Sequence, residues 1–161
     1  TILMQADFEL GFSLPVSVRV APAGTQIGPA YVVPLGETSA LALWHERGDP
    51  QQPWTVYASH LGDEGWTTPV VLLDTPEPAA TGVDACGHAH VVAQRADELD
   101  LVAVRFDDGS FVWSEPQILA EAYTATDGPQ LVVAENGRAA AGWSAESSPG
   151  ERELRVSRLR P

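Results

Sequence analysis

The chain has 161 residues, 44% hydrophobic and 19% charged, enough length and apolar material for a buried core and too little polarity for a disordered chain. Its formal net charge is −13 and all nine basic residues are Arg, so its surface repels phosphate backbones and anionic lipid, which sets nucleic acid and membranes aside as partners. The longest apolar runs, such as Pro69–Leu73, are far too short to cross a bilayer.

Taken in chain order, the sequence reads as short β-prone runs broken by Gly, Pro and Asp. No stretch keeps apolar residues at helical spacing for three turns. Residues 1–8 predict a strand, and Phe12-Ser13-Leu14-Pro15 introduces a second over Val16–Val18. Gly28-Pro29 opens a run to Val33. A small-residue strand over Ala40–Trp44 follows, then a more polar one over Val56–His60. Trp66-Thr67-Thr68-Pro69 introduces Val70–Leu72. The order then restarts with Thr81–Cys86, His90–Gln94, Leu101–Phe106, and Trp113-Ser114-Glu115-Pro116 ahead of Gln117–Leu119. Gly128-Pro129 opens a last set with Gln130–Val133, Ala139–Trp143 and Leu154–Leu159.

The order is a repeat. An aromatic, a hydroxyl residue, any residue and Pro recur at 12–15, 66–69 and 113–116, each ahead of a β-prone run, with a period of about fifty residues. Each full unit carries four short strands, the signature of a propeller blade. The predicted fold is therefore all-β, built of four-stranded antiparallel blades of a β-propeller, in one repeat domain over 1–161. Its units fall near 1–20 (third and fourth strands of a blade), 28–73 (full), 81–120 (full) and 127–161 (first to third strands). Such a count does not close a ring, so a partial propeller is expected. A second copy in a homo-oligomer, or another chain, would complete it and cover the strand edges.

The connections between third and fourth strands carry a motif. One reads Ser59-His60-Leu61-Gly62-Asp63-Glu64-Gly65-Trp66 and the next Phe106-Asp107-Asp108-Gly109-Ser110-Phe111-Val112-Trp113. Both resemble degenerate Asp-boxes, with the pattern S-x-D-x-G-x-x-W, and the chain resembles the sialidase-like BNR-repeat propellers. Neither copy has the full spacing, and the segment Phe8–Phe12 lacks the Asp. The resemblance implies that Asp63 and Asp108 make tight turns. It gives Phe12, Trp66 and Trp113, with Pro15, Pro69 and Pro116, a structural role between blades. It also implies that ligands meet the opposite face, formed by the loops joining second to third strands and those between blades.

Those loops hold the candidate ligand-binding residues Trp44, His45, Arg47, Trp54, Arg95 and Tyr123, for a glycan or a protein. Trp54 stands in the irregular Asp49–Pro53 loop, where the scaffold asks for no aromatic. A sialidase would need an Arg cluster for the substrate carboxylate, a Tyr activated by Glu, and an Asp as acid/base. Arg47 and Arg95 occupy comparable positions, but the third unit offers no matching Arg and an opening Arg-Ile-Pro is absent. The expectation is a non-catalytic binding or scaffold module with no catalytic residues assigned. A sialidase-type glycoside hydrolase and a structural assembly subunit are the alternatives.

His88 and His90 share one face of a strand, yet no Cys or carboxylate pattern completes a metal site, so neither metal nor cofactor is expected. Cys86 is the sole cysteine, so no intrachain disulfide forms, and its apolar flank reads as a small buried hydrophobe. A secreted or cell-surface location is expected over a cytoplasmic one.

Overall fold

The computed structural model describes residues 2–4, 16–35, 38–77, 79–83, 88–107, 110, 112–121, 128–134, 138–148 and 151–159. Its regular structure is entirely β. In order the strands are β1 (Ile2–Met4), β2 (Val16–Arg19), β3 (Gln26–Pro34), β4 (Ala40–Arg47), β5 (Trp54–Gly62), β6 (Gly65–Trp66), β7 (Val70–Thr75) and β8 (Ala80–Val83). There follow β9 (Ala89–Gln94), β10 (Leu101–Asp107), β11 (Val112–Trp113), β12 (Gln117–Ala120), β13 (Gln130–Val133), β14 (Ala139–Ser148) and β15 (Glu151–Leu159). Among the described residues every strand pairing is antiparallel, and no sheet closes on itself. The chain forms two compact units, Thr1–Leu73 and Asp74–Pro161, with the boundary inside β7.

In the first unit β1 pairs with β2. The strands β3, β4 and β5 form a meander, and β5 also pairs with the short β6 and with β7. Ala40 to Glu46 are buried at every position, as befits a strand flanked on both sides. One face of β4 presents Ala42 and Trp44, against which Val18 of β2 and Tyr57 and Trp66 pack. A bulge separates Ile27 from Ala30 in the β3–β4 register. At Gly28 in that bulge, a Cβ would stand 3.0 Å from the Trp54 ring and 3.1 Å from His45 Cβ, so a larger residue there would push both aside.

The second unit repeats the plan. The strands β8, β9 and β10 form a meander, with β11 and β12 both on β10, and β13-β14-β15 make a three-stranded sheet. These two sheets pack through Val92, Leu101 and Ala103 on one side and Ala139, Ala141, Trp143, Ala145 and Leu159 on the other. Leu119, Ala120, Leu131 and Val133 fill the margins. The approach is close: a Cβ on Gly82 would fall 2.8 Å from Val133 Cγ2.

The ladders share one register. Ala40 faces Leu61, Ala89 faces Phe106 and Ala139 faces Leu159, while Leu61 and Phe106 each face a Trp on their other side, Trp66 and Trp113. The Asp-box-like segments close as hairpins at that end. Asp63-Glu64 forms a turn ahead of Gly65, whose φ of 100° suits glycine. In the second, the Ser110 N–H donates to Asp107 Oδ1 at 3.4 Å. The hydroxyl of the repeated motif has a definite task. Thr67 N–H donates to the His60 carbonyl and Thr67 Oγ1 accepts from His60 N–H. Ser114 does the same with Arg105. One residue thus satisfies both backbone groups of the third strand just before Pro, which has no N–H to offer. Phe12, Pro15 and Asp108 lie outside the described residues.

Candidate functional site

Strand alternation splits the end of β4 between two faces. Trp44 and Glu46 point one way, His45 and Arg47 the other. The loop 48–53 joins this end to β5, where Trp54 enters.

On the second face, the Arg47 guanidinium lies over the Trp54 indole, 4.2 Å from its centroid, and its Nε donates to Gln26 Oε1 at 2.7 Å. His45 meets the Trp54 ring edge-on at 6.5 Å. Fully buried, His45 places Nδ1 2.9 Å from the Pro29 carbonyl oxygen. Burial pushes its pKa below the usual histidine value, against that carbonyl, which raises it. Arg47 and Trp54 keep partial exposure at the surface of this corner.

On the first face a polar network replaces part of the core. Glu46 is 4% exposed, and its carboxylate accepts from Trp44 Nε1 at 2.8 Å and from both Nε and Nη2 of Arg19 at 3.1 and 3.3 Å. Trp44 stacks on Tyr57 at 5.7 Å, and Arg19 lies 5.5 Å above Tyr57. The Glu46 hydrogen bond holds the Arg19 pKa above its ordinary value and outweighs the burial that lowers it. Counted from the shared register, Trp143 stands where Trp44 does and Ala145 where Glu46 does. Trp143 Nε1 is buried without a hydrogen-bond partner among the described residues.

The predicted residues therefore separate. Arg47, Trp54 and His45 come together, with His45 behind the other two. Trp44 is fully buried and offers no ring face to a ligand. In the second unit, Arg95 is held by Asp97 at 2.8 Å and Glu98 at 2.5 Å. Desolvation is the largest single influence and raises the Asp97 pKa, but the Arg95 hydrogen bond and charge together with backbone N–H groups outweigh it and leave it below the usual carboxylate value. Tyr123 lies outside the described residues. Trp66 packs on the Trp44 cluster and Trp113 on Phe106 at 5.2 Å. Arg19, Glu46 and Tyr57 were not singled out from the sequence. Alternation alone puts Glu46 beside Trp44, but Arg19 arrives from another sheet.

His88 Nε2 lies 3.9 Å from Asp107 Oδ1, and His90 is buried. Among the described residues, no group of three or more His, Cys, Asp or Glu is placed to hold a metal ion. A cleft of about 30 Å³, lined by His90, Arg105, Ser114, Gln117 and Leu159 among others, has the size of a water site. Arg105 Nε is buried without a partner among the described residues. No protein-family model matches the chain, and no curated protein matches it either.

Proposed function

We propose that this chain is a binding module, built as part of a sialidase-like β-propeller, that takes a glycan or a protein at the Arg47–Trp54 corner without turning it over. The observation that carries the reading is a break in the repeat. Counted along the common register, Arg47 and Trp54 extend β4 and β5 past the point where β9 and β10 stop, at Gln94 and Leu101, and the corresponding residues of the second unit, Ala96 and Leu99, lie in the connecting loop. The second sheet thus forms without an aromatic or a charge at those places. The chemistry of the pair suits recognition: an indole stacks on the apolar face of a sugar or side chain, and guanidinium donors grip hydroxyls or carboxylates. His45, buried against Pro29 and the ring edge, fixes the indole from behind.

The propeller reading draws support from three successive antiparallel meanders in one register, the first two ending in the same hairpin and hydroxyl bridge. The test is a glycan array probed with the wild-type chain and with Trp54→Ala. Binding that drops at least tenfold in the variant, with an unchanged circular dichroism spectrum, supports the corner. Equal binding by both overturns it, and turnover of a fluorogenic sialoside would overturn the non-catalytic reading.

A further inference from the structure

In the second unit, the face of β9 and β10 that packs Val92, Leu101 and Ala103 on the neighbouring sheet turns polar at one end. Strand alternation continues that face to His90 and Arg105, which pair across the ladder. Gln117, opposite Ala103 on β12, lies on the same side. The first sheet has Leu41, His60 and Val70 at these places, counted from Ala40–Leu61 and from the Pro of the repeated motif. With Ser114 and Leu159, the three polar residues border the cleft of about 30 Å³. That volume admits one water or one monatomic anion and is too small for sulfate. Arg105 Nε–H is buried there and meets no acceptor among the described residues. Its guanidinium makes no ion pair among them either, and no carboxylate lines the cleft. Asp107, two residues on, accepts instead from Ser110 N–H and lies 3.9 Å from His88 Nε2. The Ser114 hydroxyl is already engaged, since it accepts from Arg105 N–H and donates to the Glu115 carbonyl.

We propose that this cleft binds one monatomic anion, chloride in ordinary solution, which accepts a hydrogen bond from Arg105 Nε. The donor is buried and belongs to an ionised group, so leaving it unmade costs more than it would for a neutral N–H. Water would satisfy the N–H and leave the charge without a counter-charge. An anion supplies both, in a charge-assisted bond. The net charge of −13 does not forbid it. Charges farther off than about 8 Å are largely screened at physiological salt, and the side chains that line the cleft carry no negative charge. Size selects a halide over a carboxylate or phosphate. The ion sits where β10 and the segment leading into β12 meet the end of β15, so its binding favours the folded arrangement of the two sheets by mass action.

Urea unfolding of the full chain at constant ionic strength, with chloride exchanged stepwise for the bulky gluconate, reads the site in solution. The wild-type midpoint should rise with chloride and level off. Arg105→Met should lose that dependence whatever its own midpoint. Arg155→Met, which removes an Arg paired with Glu153 outside the cleft, should keep it. Crystals grown in bromide give the position, with an anomalous peak expected within hydrogen-bonding reach of Arg105 Nε. An equal chloride response in wild type and Arg105→Met, or a cleft filled by water in the bromide crystals, overturns the proposal. A bromide peak with no chloride response in solution marks an adventitious ion only and overturns it too. Should Arg105→Met fail to fold, the wild-type response and the bromide position decide between the same outcomes.

Discussion

His45 and Gln94 hold the same place in two sheets, both buried, and of the two only the histidine titrates near neutrality. Burial lowers the His45 pKa in the folded chain. Between that lowered value and about 6.5, the unfolded chain therefore binds more protons, and stability rises with pH. It is fully present above about pH 6.5 and is lost as the pH falls towards the folded value. His45→Gln borrows the residue the repeat already uses. Urea midpoints of wild type should fall faster than those of the variant below pH 6.5, and the other histidines cancel in the comparison. Parallel curves would contradict this. The sequence is a mixed guide at this scale. Trp54 and Arg47 stand out because an irregular loop needs neither. Trp44 looks like a loop aromatic because the small-residue run stops there. The strand in fact continues to Arg47, since Arg19 and Trp44 satisfy the Glu46 carboxylate and let it be buried.

Strand positions were legible because Gly, Pro and Asp punctuate runs of β-prone residues, and the repeat supplied three readings of each element. The short strands β6 and β11 were not anticipated as strands, since two residues carry no periodicity of their own. The hydroxyl of the repeated motif was visible, but its task was not, because it depends on backbone groups of the preceding strand. Long-range polar pairs were the least legible. Arg19 on β2 and Glu46 on β4 form an ion pair where the equivalent positions, Ala120 by the Pro-anchored motif and Ala145 by register, are apolar. Glu46→Ala strips Arg19 and Trp44 Nε1 of their acceptor and is expected to cost about 2–3 kcal/mol. Arg19→Ala/Glu46→Ala should cost less than the sum of the single changes, with a coupling of about 1–2 kcal/mol in chemical denaturation. Additive costs would show that the pair contributes nothing as a pair.

Across the whole molecule, burial follows the order of strands. The second and third strands of the two complete sheets, β4 with β5 and β9 with β10, carry most of the buried residues. The outer strands β3, β7 and β12 are exposed or half-buried apart from Thr75 at the end of β7, which is buried. The repeat made this gradient readable, because a strand rich in small and branched residues, such as Ala40–Leu43, announces close neighbours on both faces. The exposure of Leu154 and Val156 could not be read the same way, since they have the character of buried residues. Amide hydrogen exchange on the intact chain tests the register most directly. The slowest amides should fall in β4, β5, β9 and β10 at matching positions counted from Ala40 and Ala89, with β3, β7 and β12 exchanging sooner. Slow amides at unrelated positions in the two sheets, or outer strands as protected as the inner pairs, would contradict the shared plan.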